Sequence, residues 1–268
     1  MPYANNEDIK IYYQIEGTGP DLILTPGLSS SSEDWRELGY VAELENDFRL
    51  ILVDPRGHGK SDKPYEPKAY SPEARVKDCL AILDDLGVKH AHYWGYSSGG
   101  VAGFCAAKYA PDRFKSVIIG GVDPYPSSRN IGDRSPPLQK AMQGLPEGND
   151  PIRTALDQGG EAWLKFWDSN ATIPEGMRSR MLANDYQALV ALWEQPFPWR
   201  DEVEPYLSRF PFPSLLYAGE GEHSFQGMKF CSEEMPRAEF VALPGFGHFD
   251  IWFKPDKIIS KVKRFLAG

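Results

Sequence analysis

Residues 91 to 101 read Ala91-His92-Tyr93-Trp94-Gly95-Tyr96-Ser97-Ser98-Gly99-Gly100-Val101. An apolar run ends in Gly95-x-Ser97-x-Gly99 and passes without a loop into the helical stretch Val101 to Tyr109. This order predicts a strand that turns sharply into a helix, with Ser97 on the turn and its hydroxyl raised above the sheet. The glycines two residues to either side let strand and helix crowd together without side-chain clash. The turn also sets Ser97 at a helix N-terminus, where unpaired N–H groups and the helix dipole favour developing negative charge. In a chain with 25 glycines the bare pattern is weak evidence. The order strand, turn, helix, followed by a candidate base and acid, makes Ser97 the candidate nucleophile.

Outward from this stretch the same strand character recurs. Leu22 to Thr25, Leu50 to Val53, Ser116 to Gly121, Ser214 to Ala218 and Phe240 to Leu243 are nearly continuously apolar, as in strands buried on both faces of a parallel sheet. Ile9 to Ile15 is more mixed and reads as an antiparallel edge. Helices with readable ends lie between the strands. Ser71-Pro72-Glu73 supplies an N-cap, a proline at the first position and an acid in the first turn. Val76, Leu80, Leu83 and Leu86 follow at helical spacing, and Gly87 closes the helix. Ile258, Ile259, Val262, Phe265 and Leu266 form one apolar stripe of a terminal helix. Alternating strands and helices predict an α/β fold on a parallel sheet.

The alternation stops between residues 123 and 209. This segment carries Trp163, Trp167, Trp193 and Trp199, with Phe166, Phe197, Met177, Met181, proline-rich stretches and no strand pattern. It reads as a helical insertion, residues 123–209, within a core of residues 1–122 and 210–268. Most of its aromatic residues are expected to pack on one another. An insertion leaving the strand that ends near Gly121 nevertheless emerges at the carboxyl edge of the sheet, where α/β proteins hold their ligands. Trp163 and Trp167, with Tyr96 beside the nucleophile, are therefore the candidate substrate contacts.

A base and an acid must come from later loops. Of the five histidines, only His248 lies in a glycine-rich loop, Pro244-Gly245-Phe246-Gly247-His248, after a late buried strand and before the terminal helix. Such a sheet-edge position lets an imidazole reach a serine proton. Gly219-Glu220-Gly221-Glu222 follows the strand Ser214 to Ala218, and a carboxylate there can fix the imidazole tautomer. Glu222 is the first candidate, Asp123 the alternative at the end of the preceding strand, and Glu220 the third.

Composition bounds the partners. At 268 residues and 41% hydrophobic content the chain can bury a large core. A net charge of −9 with scattered acidic residues argues against nucleic acid and against a polybasic membrane contact. Cys79, Cys105 and Cys231 lie far apart and read as small core hydrophobes, neither metal ligands nor a disulfide. The first residues show no signal peptide, and no apolar run approaches transmembrane length. The expectation is a cytoplasmic protein acting on a small molecule without metal or cofactor, its oligomeric state unread.

Taken together, these segments resemble the α/β-hydrolase fold family, in particular its small capped carboxylesterase-like branch. The GYSSG elbow, the run Asp54-Pro55-Arg56-Gly57-His58-Gly59-Lys60-Ser61-Asp62, the acidic loop and the Gly247-His248 loop stand in the family's order, and the likeness covers residues 8 to 267. The resemblance implies an eight-stranded, mostly parallel sheet with helices on both faces and a helical cap after the sixth strand. It implies a triad of Ser97, Glu222 and His248, with the backbone N–H groups of Leu28 and Ser98 as oxyanion donors. Two departures stand out. Pro26 occupies a place where relatives usually carry histidine, and Glu222 one where this branch usually has aspartate, an extra methylene for the loop to absorb. The two glycines of the Asp54 to Asp62 run suit a tight turn, and His58 within it is expected to be structural.

The implied chemistry is hydrolysis of carboxylic esters with small to medium apolar or aromatic groups, through an acyl-enzyme on Ser97. Serine at the elbow disfavours the branches that need a carboxylate nucleophile. The same triad also serves lactonases, carbon–carbon bond hydrolases, perhydrolases and hydroxynitrile lyases, and the fold is reused in small-molecule receptors without catalysis. Fold alone does not choose among them.

Overall fold

In the computed structural model, which describes residues 2–125, 150–168, 172–195 and 202–268, the apolar runs are strands of one sheet. These are β1 (Tyr3–Asn6), β2 (Ile9–Glu16), β3 (Asp21–Thr25), β4 (Arg49–Val53), β5 (Ala91–Tyr96), β6 (Phe114–Gly120), β7 (Ser214–Gly219) and β8 (Ala238–Leu243). Among the described residues the sheet has eight strands in the order β1-β2-β4-β3-β5-β6-β7-β8. β2 runs antiparallel to both β1 and β4, and β3 to β8 are parallel. β1 was not expected. Its sequence, Tyr-Ala-Asn-Asn, buries only Ala4, so it carries no alternation to read and exists by pairing with β2.

Each central strand divides its side chains between two cores, as a period of two requires. Ile23, Ile51, Val53, Tyr93, Val117, Ile119 and Leu216 face one side. Leu22, Leu24, Leu50, Leu52, Trp94, Ile118 and Leu215 face the other. Each aliphatic side chain fully buried this way contributes roughly 1.5–3 kcal/mol, before the entropy of ordering it is subtracted.

The helices cover both faces. They are α1 (Ser32–Glu37), α2 (Tyr40–Leu44), α3 (Pro72–Asp85), α4 (Gly100–Tyr109), α5 (Pro151–Asp157), α6 (Gly160–Asp168), α7 (Glu175–Leu182), α8 (Tyr186–Glu194), α9 (Phe225–Glu234), α10 (His248–Trp252) and α11 (Ile259–Ala267). Val76, Ile82 and Leu83 of α3, Phe104 of α4 and Met228 and Cys231 of α9 fill the first core. Trp35 of α1, Leu44 of α2 and Val262 of α11 fill the second, joined by Leu156, Trp163, Met181 and Leu189 from the helices between β6 and β7. The α3 start is built as expected: Ser71 Oγ accepts the Ala74 N–H at 3.3 Å, and Pro72 opens the helix. All three cysteines are free and buried. Among the described residues no helix is long and apolar enough to cross a membrane.

Candidate active site

The strand register places the site. Thr25 pairs with Gly95, Tyr96 with Gly120, and Gly219 with Leu243. Parallel strands that end together release their loops side by side at the carboxyl edge. There the loop after β3, the elbow after β5, the turn after β6 and the loops after β7 and β8 become neighbours.

At the elbow Ser97 holds φ +51°, in the left-handed region, a strain of about 1–3 kcal/mol for a residue with a side chain. The surrounding fold enforces it. A Cβ on Gly95 would lie 2.5 Å from the Gly99 carbonyl oxygen, and one on Gly99 would overlap the Thr25 carbonyl. Ser97 to Gly99 form one 3₁₀ turn leading into α4, so the Ser98 N–H lies in a first turn with no partner one turn back. Arg75, whose pKa burial lowers, donates from Nη2 to the Ser98 carbonyl and to Ser98 Oγ.

His248 opens α10, and its ring lies between Ser97 and Glu222. Nε2 lies 3.0 Å from Ser97 Oγ, and Nδ1 lies 2.7 Å from Glu222 Oε2. Glu222 is buried, and its second oxygen accepts the Gly219 N–H at 2.7 Å. That bond turns the acidic loop back on its own strand. With an anionic carboxylate at Nδ1, the proton resides on Nδ1 and Nε2 is left as acceptor toward the serine. Asp123 is placed differently: its Oδ1 accepts the Tyr125 N–H at 3.0 Å, and its side chain packs where a Cβ on Gly227 would fall. Glu220 is exposed.

Tyr96 is 2% exposed. The ring stacks on Trp252 with centroids 5.0 Å apart, lies 5.2 Å from the His248 ring, and its hydroxyl donates to the His248 carbonyl. It is a mount for the imidazole. Gly121, read in the sequence only as the end of a strand, completes that mount: at φ +68° it passes so near the ring that a Cβ would sit 2.8 Å from His248 Cε1. The signal that could have found it is a glycine directly after a buried strand, which also fits an ordinary turn.

The loop after β3 runs against the elbow. A Cβ on Gly27 would lie 3.2 Å from Ser97 Cβ, so the backbone that leads into Leu28 passes beside Ser97. Trp163 is 1% exposed and donates from Nε1 to Ser29 Oγ at 2.8 Å, which ties α6 to the loop after β3. Trp167 is half-buried, its ring 4.1 Å from that of Phe249, which in turn lies 5.5 Å from the His248 ring. Phe249 was not singled out in the sequence. Trp193 donates to Asp150 Oδ2 at 2.5 Å, while Trp199 and Phe197 fall outside the described residues. His58 is buried, donates from Nδ1 to the Arg56 carbonyl and accepts the Ser29 N–H at Nε2, each at 3.0 Å. Among the described residues no group of three or more His, Cys, Asp or Glu is arranged to hold a metal ion.

Comparison with known proteins agrees with this architecture. A sequence profile described as the alpha/beta hydrolase fold matches residues 20–255. The chain is similar to a putative carbamate hydrolase of Azorhizobium caulinodans, 34% identical over 119 residues that span 44% of this chain and 43% of that protein. It is similar over more of its length to 3-oxoadipate enol-lactonase 2 of Acinetobacter baylyi, 26% identical over 218 residues, 80% of this chain and 76% of the relative. An esterase from Rhodococcus sp. ECU1013 has the same fold, with a TM-score of 0.79 over 99% of this chain and 98% of that one at 23% identity.

Proposed function

The chain belongs to the α/β-hydrolase fold family, and from that premise we propose that it is a serine hydrolase of carboxylic esters working through an acyl-enzyme. One observation carries the proposal: Glu222, His248 and Ser97 form an unbroken line of hydrogen bonds of 2.7 and 3.0 Å. In this reading His248 Nε2 takes the Ser97 proton as Oγ attacks the ester carbonyl. The carbonyl electron pair moves onto oxygen, where the N–H groups of Leu28 and Ser98 stabilise it. Collapse expels the alcohol, which leaves with the proton held on His248. Water then attacks the acyl-enzyme by the same steps. Glu222 stays ionised, orients the ring and stabilises the imidazolium.

The helices between β6 and β7 act in this reading as a cap, with Trp167 and Phe249 bounding the acyl or alcohol group beside the base. A lactone is an ester closed on itself and opens by identical steps. The likeness to an enol-lactonase is the reason to place lactones beside open-chain esters in the first screen. The test is hydrolysis of p-nitrophenyl esters and small lactones by the wild type, by Ser97→Ala and by His248→Ala. Turnover is expected in the wild type and loss of at least about 10³-fold in both variants. Equal turnover in Ser97→Ala rejects the proposal.

A further inference from the structure

Ser29 follows the oxyanion donor Leu28 and is held at every polar atom it has. Its N–H donates to His58 Nε2 at 3.0 Å, its carbonyl accepts from Asn184 Nδ2 at 2.8 Å, and its hydroxyl accepts from Trp163 Nε1 at 2.8 Å. The residue is 2% exposed and sits at φ +64°, a conformation a serine does not keep without support. The three partners come from separate parts of the chain. His58 lies in the loop after β4, Trp163 on α6, and Asn184 in the turn between α7 and α8. The Ser29 N–H belongs to the peptide plane directly after Leu28 Cα. That plane is joined to the one carrying the Leu28 N–H through the two torsions at Leu28 Cα, so anchoring it narrows the directions open to the Leu28 N–H.

We propose that Ser29 is a positioning residue for the oxyanion hole, through which Trp163 and Asn184 of the inserted helices aim the Leu28 N–H at the developing oxyanion. This rests on the acyl-transfer reading above. The insertion then has a part in the chemistry beyond enclosing substrate. An N–H displaced by a fraction of an ångström still binds a ground-state ester but stabilises its tetrahedral intermediate less.

Ser29→Ala and Trp163→Phe each remove the same hydrogen bond. Each is expected to lower kcat by about 10- to 100-fold with KM within about twofold, less than the loss on deleting a donor outright. Affinity for an aryl trifluoromethyl ketone, which becomes a tetrahedral oxyanion on Ser97, falls by the same factor. The double variant loses no more than the worse single one, because the two share one bond. Asn184→Ala, which acts at the carbonyl, shows the same split and carries the test if Trp163→Phe does not fold. Unchanged kcat and ketone affinity in Ser29→Ala, a rise in KM alone, or additive losses in the double variant overturn the proposal. A wild type that neither turns over esters nor binds the ketone overturns the acyl-transfer reading, and this inference with it.

Discussion

Glu222 reaches His248 from a loop that folds back through its own bond to the Gly219 N–H, so the carboxylate is held at both oxygens. Glu222→Gln keeps the shape but removes the charge that stabilises the imidazolium, and is expected to lower kcat by about 10²–10⁴-fold with the fold intact. Steady-state kinetics beside Asp123→Asn check it: near-normal turnover in the first variant with collapse in the second would move the role to Asp123. Gly121→Ala is the second prediction at this scale. The new methyl meets the His248 ring in a backbone conformation that disfavours alanine, so kcat falls while the far-UV circular dichroism, which reports the overall secondary structure, stays unchanged. Unaltered kcat in Gly121→Ala would show that the ring does not rest against this glycine. That Ser97, His248 and Glu222 come together was legible because each is a chemically capable residue in a loop after a buried strand. The contacts of Tyr96 and Gly121 with His248 were not legible, because they join residues more than a hundred positions apart and leave no local pattern.

At the scale of elements, the strands were legible wherever two-sided burial makes a run continuously apolar, and β1, half of it asparagine, was not. The helices between β6 and β7 were legible as a helical segment rich in aromatics. Their sequence did not reveal which aromatics serve the loop after β3 and which approach the base, since Trp163 and Trp167 sit one helical turn apart on α6 with different neighbours. If Trp167 and Phe249 bound the substrate space, each methylene buried there contributes about 0.8 kcal/mol, roughly fourfold in kcat/KM, until the space is full. We expect kcat/KM to rise from acetate to butyrate esters and to fall by palmitate, measured without micelles. A profile that climbs through palmitate would mean that these helices open onto an interface.

For the whole molecule, the loops meet at the carboxyl edge because six parallel strands end there together, and that convergence follows from topology more than from any motif. The same convergence buries His58, whose pKa is pushed from 6.5 down to about 4 by loss of solvent. As pH falls below about 6.5 the unfolded chain takes up a proton that the folded chain refuses until about 4. Stability is thus complete above that window and is lost through it, by about 2 kcal/mol at pH 5 from this group. Urea midpoints between about pH 7.5 and pH 5 should fall more steeply in the wild type than in His58→Gln; parallel curves would show that His58 is not the group responsible. If topology and elbow together make Ser97 a nucleophile activated by His248, intact-protein mass after reaction with a fluorophosphonate shows one adduct per chain, located at Ser97 and absent from Ser97→Ala and His248→Ala; a wild type that remains unlabelled, or labels equally without Ser97, would contradict that activation.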